Sequence, residues 1–198
     1  FGALYSSSLD FCSVPQEPML WYKMDNAADV GHESISGADA TVSNVAIDST
    51  SALPAVAEGC EAAARFTTAA QQFDLPPFTI TTSEITVSLW FRPVLTQTDY
   101  AKLFDFKDAA SSTQGRILIY GSGIPDQSHT YTKTWLFSVK NNGLTLENIP
   151  IVIDVNHPEW VHIGWRVRNN GEWTITVNGV EVFREVKAGE SIMSTTYT

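Results

Sequence analysis

The chain has few basic residues and no cluster of them. Its 198 residues include 12 Lys and Arg against 22 Asp and Glu, a formal net charge of −10. Nucleic-acid binding depends on clustered Lys and Arg at the phosphates, so this composition argues against a nucleic-acid partner. No apolar run approaches the roughly 18 residues of a membrane-spanning helix, so direct membrane insertion is not expected. A sustained 3.6-residue apolar period is also missing, and helices are not expected.

Cysteine is scarce, with only Cys12 and Cys60 present. A disulfide between them would stabilise the fold by about 4 kcal/mol in the chain-entropy account, and it would tie residues 1–18, a Ser- and Pro-containing lead-in or linker, to the body. The chain does not begin with Met, and we expect a piece of a longer secreted precursor. We predict this disulfide; the alternative is two separate buried thiols in a cytosolic protein.

A β-meander is predicted at residues 159–186, EWVHIGWRVRNNGEWTITVNGVEVFREV. Three runs with two-residue alternation are joined at Asn169-Asn170-Gly171 and at Asn178-Gly179, and Asn-Gly is a strong hairpin signal. In residues 173–177 apolar side chains take the odd positions and threonines the even ones. This alternation is typical of a strand with one face in a core and the other in solvent.

A second strand is predicted at residues 84–93, EITVSLWFRP. Its odd positions are apolar, and its even positions include Trp90 and Arg92. Pro93 ends the strand because proline donates no ladder hydrogen bond. Further strands are predicted along the chain, about twelve in all, so the chain is all-β.

These strands carry a resemblance to laminin G-like modules of the concanavalin A-like lectin and glucanase class. The matching segments are Ala64-Arg65-Phe66 after Gly59, the run from Thr86 through Trp90 to Pro93, and Trp160-Val-His-Ile-Gly-Trp165. The resemblance implies a two-sheet antiparallel jelly-roll sandwich over residues 19–198. The family's closing segment is missing after the Asn178-Gly179 turn, so we expect either an incomplete sandwich or one closed by residues from elsewhere. An unclosed sandwich leaves a strand edge that can pair with neighbouring modules or with another copy.

The same class includes glycoside hydrolases, which need two carboxylates about 5–9 Å apart. No predicted strand carries acids in that arrangement. Glu181 and Glu185 share parity on the last strand and come nearest, but they are interpreted as a solvated face. The scattered histidines suggest no Ser-His-Asp or Cys-His arrangement, so we predict a protein that is not an enzyme.

Aromatic and planar polar side chains share the face opposite the predicted core. This predicted ligand-binding set is Trp90 and Arg92 on one strand and Trp160, His162 and Arg166, with Arg168 beyond them, on another. If the two strands lie in one sheet, these groups form a surface suited to a glycan. The alternative is that loops cover Trp90 and Trp160 as a secondary core, because tryptophan is usually highly buried.

Calcium is implied by the resemblance, since laminin G-like modules often carry one Ca²⁺ at the rim of the sandwich. The oxygen-rich group nearest the corresponding loop is Asp25, Asn26, Asp29 and Asp39. Second choices are the pairs Asp105 with Asp108 and Asp154 with Asn156. The alternative is that these residues form turns, because Asp and Asn side chains bond their own backbone.

The sequence therefore predicts a non-enzymatic binding or adhesion module of a larger secreted or cell-surface protein, with a glycan or an extracellular protein as its partner. The alternative function is a structural subunit of an extracellular filament or matrix, packed through its strand edges. A degenerate glycoside hydrolase is a third possibility, disfavoured by the missing carboxylate pair.

Overall fold

The computed structural model describes strands and their turns along much of the chain. The described residues are 22, 28, 30–34, 36–48, 63–68, 70–80, 84–92, 102–107, 116–125, 132–141, 144–154, 160–168, 170–186 and 196–197. The chain divides into two compact units, Phe1–Pro76 and Pro77–Thr198. No helix among the described residues is long and apolar enough to span a membrane.

The described part of the first unit contains four short strands. They are β1 (Thr41–Ser43), β2 (Ala46–Asp48), β3 (Ala63–Arg65) and β4 (Gln72–Asp74). Strand β1 pairs antiparallel with β4, and β2 pairs antiparallel with β3. Tyr22 forms an isolated bridge with Glu33, and its ring meets Phe73 of β4 edge to face at 5.1 Å.

Ten strands lie in the described residues of the second unit. They are β5 (Phe78–Thr79), β6 (Glu84–Phe91), β7 (Lys102–Lys107), β8 (Arg116–Pro125), β9 (Thr132–Asn141), β10 (Leu144–Asp154), β11 (Val161–Arg168), β12 (Glu172–Val177), β13 (Val180–Val186) and β14 (Thr196–Tyr197). Two four-stranded antiparallel sheets have the orders β10-β9-β8-β7 and β13-β12-β11-β6, and β14 pairs with β5. We refer to β13-β12-β11-β6 as the meander sheet.

The core lies on one face of the meander sheet, against β7. Trp165 of β11 and Trp173 of β12 are fully buried, with ring centroids 5.8 Å apart. Phe104 of β7 packs beside Trp165 at 6.0 Å. Contacts between aromatic residues of the two sheets therefore close the sandwich, and the predicted all-β, two-sheet antiparallel class is confirmed.

The predicted meander is confirmed, including its turn. Asn178 and Gly179 have φ values of 50° and 79°, the two left-handed positions of a type I′ hairpin. Asn178 also accepts a hydrogen bond at Oδ1 from the backbone N–H of His162, 2.9 Å away, and donates its own N–H to the His162 carbonyl. The turn is thereby tied to the start of β11.

Strand β13 departs from the simple alternation that the sequence suggests. Its register with β12 shifts between Ile175 and Thr176, so that Glu181 lies opposite Thr176 and Glu185 lies opposite Trp173. A β-bulge inserts one extra residue and reverses the facing of the residues beyond it. The expectation that Glu181 and Glu185 share a face is therefore wrong: Glu185 is on the core side and Glu181 is on the outer side.

Candidate functional site

The outer face of the meander sheet is built by strict alternation on β6 and β11. Positions 161, 163, 165 and 167 of β11 are buried, while the positions between them are partly exposed. The register pairs His162 with Trp90, Gly164 with Ser88 and Arg166 with Thr86. Side chains from two strands that lie far apart in the sequence therefore meet on one surface.

Four of the five predicted ligand-binding residues lie at one end of this face. The Trp90 and His162 rings have centroids 4.9 Å apart and are tilted by 43°. Arg92 directly follows Phe91 of β6, and Trp160 directly precedes Val161 of β11. Both therefore lie just beyond the last register pair of the two strands, Phe91 with Val161. We call Ser88, Trp90, Arg92, Trp160 and His162 the aromatic end.

Trp90 and Trp160 are both partly buried. Each therefore keeps some surface in contact with solvent while much of its ring is packed. This intermediate state suits a side chain that stacks on a ligand, because a rigid ring loses little conformational entropy on binding.

Ser88 joins the aromatic end, although it was not among the predicted site residues. Its Oγ lies 2.7 Å from Nε2 of His162. Burial lowers the pKa of His162 from its ordinary value of 6.5, so the ring is neutral at neutral pH. Ser88 could have been predicted from the sequence, because it has an even position number like Trp90 and so lies on the same face of the strand.

The Ser88–His162 pair does not have the surroundings of a nucleophile. An activated serine needs a base that is itself oriented by a third group. Among the described residues the His162 ring has Ser88 as its side-chain hydrogen-bond partner and Trp90 as its aromatic neighbour, and no carboxylate orients it. The pair lies within the β6–β11 ladder, whose backbone N–H groups serve the sheet and do not form an oxyanion hole.

Arg92 stands apart from the other arginines of the face. Nε is buried without a hydrogen-bond partner in both Arg92 and Arg166, but Arg92 forms no ion pair within the part of the chain that the structure describes. Arg166, by contrast, donates from NH2 to Glu84, 3.2 Å away. The predicted site residue Arg166 therefore lies outside the aromatic end, beyond Gly164.

A chain of ion pairs occupies the opposite end of the face. Glu84 of β6 accepts from both Arg166 and Arg168 of β11. Arg168 also donates to Glu172 of β12 at 2.8 Å, and Glu172 in turn accepts from Arg184 of β13. Arg184 completes the chain with Glu181, whose pKa is lowered by that hydrogen-bonded pairing. We call these six residues the charged end.

The carboxylates of the charged end are engaged by guanidinium groups. Glu172 is buried and is shared by two arginines, and Glu84 is likewise shared by two. A glycoside hydrolase needs one carboxyl group able to donate a proton and a second free to act as base or nucleophile. Neither Glu172 nor Glu84 is free in that sense.

The predicted calcium residue Asp39 lies in the first unit, in a turn organised by Glu33. The Oδ1 atom of Asp39 accepts from the backbone N–H of Glu33 at 2.9 Å and lies 3.0 Å from Nδ1 of His32. The backbone bond is the main reason that the pKa of Asp39 is lowered. These contacts are of the turn-forming type that was the alternative to calcium.

Glu33 itself was missed by sequence reasoning. It is 1% exposed, and its Oε2 accepts from the Ser36 hydroxyl at 2.7 Å and from the Gly37 N–H at 3.0 Å. The turn thus surrounds the buried Glu33 carboxylate with hydrogen-bond donors, as a buried charge requires. No run of residues in the sequence distinguishes this arrangement from an ordinary acidic loop.

Several predicted residues lie outside the described part of the chain: Asp25, Asn26 and Asp29 of the calcium set, the cysteines Cys12 and Cys60, and the lead-in 1–18. Within the described part, no group of three or more His, Cys, Asp or Glu side chains is placed to hold a metal ion.

Comparison with protein families identifies a related family. A family model for laminin G-type domains, described as the concanavalin A-like lectin/glucanases superfamily, matches residues 67–198, which is more than half of the chain. No curated protein matches the sequence.

Proposed function

Because the chain belongs to the laminin G-type family of the concanavalin A-like lectin/glucanases superfamily, we propose that it is a non-enzymatic binding module. Its ligand is a glycan or an extracellular protein, bound on the outer face of the meander sheet. The module works in adhesion, as part of a larger secreted or cell-surface protein.

The aromatic end is the observation that supports this proposal. Trp90 and His162 are in ring contact, and Trp160 and Arg92 follow on the same two strands. Flat aromatic surface beside a few oriented polar groups is the usual composition of a small-ligand site. The paired carboxylates of the charged end favour binding over hydrolysis.

A glycan array tests the proposal. The wild-type protein should give signals that the double variant Trp90→Ala/Trp160→Ala loses. Phe66→Ala is the matched control, because Phe66 is an exposed aromatic residue of the first unit and its loss should leave the signals unchanged. Equal signals from the wild type and the double variant would rule out the aromatic end as the site.

A structural role in a filament or matrix is the second candidate, and strand β13 favours it. Strand β13 is an outer strand in the described order of the meander sheet. Val180, Val182 and Val186 on it are 65%, 51% and 62% exposed. An apolar outer strand can add a strand from a neighbour. Native mass determination distinguishes this role from that of a binding module. Ordered assemblies that become monomers in Val182→Lys would support the structural role, and a monomeric wild type would refute it.

Calcium and the disulfide remain parts of the proposal. A Ca²⁺ ion would be held by oxygen ligands from Asp25, Asn26 and Asp29, with Asp39 contributing through Oδ2 because its Oδ1 already accepts from Glu33. A Cys12–Cys60 disulfide fits an extracellular module. The mass of the intact protein before and after reduction and alkylation tests the bond directly.

A further inference from the structure

We propose that the aromatic end binds an oligosaccharide through a single anionic substituent, a carboxylate or a sulfate, held by Arg92. This inference rests on the proposed function and adds the chemical class of the ligand. It begins from the one feature of the aromatic end that the protein itself leaves unmatched, the guanidinium group of Arg92.

Arg92 offers donors that the described protein does not use. Its buried Nε has no hydrogen-bond partner, and no carboxylate of the described residues pairs with it. A buried donor without a partner is unfavourable, and a guanidinium presents its N–H groups in a planar fork that fits two oxygens of an anion. Because Nε is closed to solvent, a bound carboxylate or sulfate would be held by the two terminal nitrogens of Arg92, which are not among the buried donors.

The arginines of the charged end differ in their charge pairing, although Nε of Arg166 is also buried without a partner. Arg166, Arg168 and Arg184 each donate to at least one glutamate. Their charges are compensated within the sheet, so an incoming anion would have to displace a carboxylate. Arg92 requires no such displacement, which makes it the preferred anion partner on this face.

The neighbours of Arg92 suit the uncharged part of a saccharide. Trp90 and Trp160 supply aromatic surface, and the Ser88 hydroxyl and the His162 ring supply polar edges. The lowered pKa of His162 keeps that ring neutral at neutral pH. The aromatic end therefore carries one positive charge among neutral groups.

The net charge of the chain limits how many anionic groups a ligand can carry. A chain with a net charge of −10 repels a densely charged polymer. At physiological ionic strength, charges more than about 8 Å apart are largely screened. The electrostatic energy of one anionic group in contact with Arg92 is therefore determined mainly by Arg92 and little by distant carboxylates. A singly charged saccharide is therefore favoured over a polyanion.

The test is an array on which each neutral oligosaccharide is printed beside its uronate-terminated and its singly sulfated counterpart, with heparin as the dense polyanion. Five proteins are compared: wild type, Arg92→Gln, Arg92→Lys, Arg65→Gln and Trp90→Ala. Arg65 is the matched control, because it is an exposed arginine of the first unit paired with Asp48 at 3.6 Å. Thermal denaturation checks that each variant is folded.

We expect wild type to bind a singly charged saccharide at least about tenfold more tightly than its neutral counterpart, the effect of about 1.4 kcal/mol. Arg92→Gln should remove that preference, Arg92→Lys should keep part of it, and Arg65→Gln should leave it intact. Preference for the uronate or for the sulfated member identifies the anionic group, and either supports the proposal.

Three results would overturn it, and they are distinguishable. Equal binding of neutral and charged saccharides, both lost in Trp90→Ala, would refute the anionic ligand and leave the binding module standing. No binding to any saccharide would refute the anionic saccharide and the glycan form of the proposed function, and would leave an extracellular protein as the ligand of the module. Strongest binding to heparin, weakened alike by Arg92→Gln and Arg65→Gln, would indicate general charge attraction. If Arg92→Gln does not fold, Arg92→Lys decides: a reduced preference supports the proposal, and a preference as large as that of wild type refutes it.

Discussion

The hydroxyl of Ser88 on β6 reaches diagonally across the sheet to His162 on β11, with 2.7 Å between Oγ and Nε2. The residue directly opposite Ser88 is Gly164, which has no side chain to fill the space. Diagonal neighbours on adjacent strands are within reach of long or aromatic side chains. The position of the His162 ring is thus set by a serine, by a glycine and by its stack on Trp90.

The burial of His162 makes the stability of the sheet sensitive to pH. Its pKa is lowered in the folded protein from 6.5, so between the lowered value and 6.5 the unfolded chain binds more protons, and stability rises with pH there. The contribution is fully present above about pH 6.5 and is lost as the pH falls toward the lowered value.

We therefore expect the free energy of unfolding of wild type to drop more than that of His162→Gln between about pH 8 and about pH 5.5. Urea titrations at the two pH values measure it. His32→Gln, in the first unit, controls for the loss of a histidine elsewhere. Parallel losses in wild type and His162→Gln would contradict the prediction.

Gly164 should not tolerate a methyl group. A Cβ built there would lie 2.6 Å from Oγ1 of Thr176 on β12, so Gly164→Ala should cost about 1–3 kcal/mol through overpacking. The double variant Gly164→Ala/Thr176→Ala should recover much of that loss, because it removes the clashing oxygen. Urea denaturation of both variants, with Thr176→Ala alone as the reference, decides; full stability of Gly164→Ala would refute the close contact.

Glu172 should contribute more to the free energy of unfolding than the other carboxylates of the charged end. It is buried and lies between Arg168 and Arg184. Glu172→Gln removes the shared negative charge and should lower the free energy of unfolding by about 1–2 kcal/mol, less than for a fully buried pair because both arginines are partly exposed. Glu181→Gln, at an exposed position, should have a smaller effect. A reversed order of the two variants would count against the shared role of Glu172.

Calcium should raise the melting temperature if the predicted loop binds it. Extracellular calcium modules have dissociation constants of about 10⁻⁴–10⁻³ M, so about 10 mM Ca²⁺ should stabilise by about 1.4 kcal/mol or more. Asp25→Asn and Asp29→Asn should abolish the shift, while Asp39→Asn should change it less because Oδ1 of Asp39 already accepts from Glu33. Identical melting curves in Ca²⁺ and in a chelator would remove calcium from the proposal.

Local alternation was enough to predict the meander sheet. In residues 173–177, Trp173 and Ile175 are fully buried, and Thr174 and Thr176 are partly exposed on the opposite face. The same parity placed Trp90 and His162 on the outer face. Their meeting depends on the register between β6 and β11, which arises from contacts between distant parts of the chain and cannot be deduced from the pattern of either strand alone.

The bulge in β13 explains where alternation failed. One inserted residue leaves the composition of the strand unchanged and reverses the face of everything beyond it. Arg184 consequently bonds Glu181 three positions away, which a regular strand would place on opposite faces. The buried Glu33 was missed for a related reason, because its donors come from a turn whose shape the sequence does not specify.

The ion pairs of the charged end cross every strand boundary of the meander sheet. Glu84 joins β6 to β11, and Glu172 joins β12 to both β11 and β13. A slip of two residues between neighbouring strands would preserve the inward and outward pattern, but it would carry each carboxylate about 7 Å away from its guanidinium. The charges therefore discriminate against misaligned sheets that hydrophobic burial alone would allow. During folding, only one alignment of the four strands satisfies both hydrophobic burial and the ion pairs.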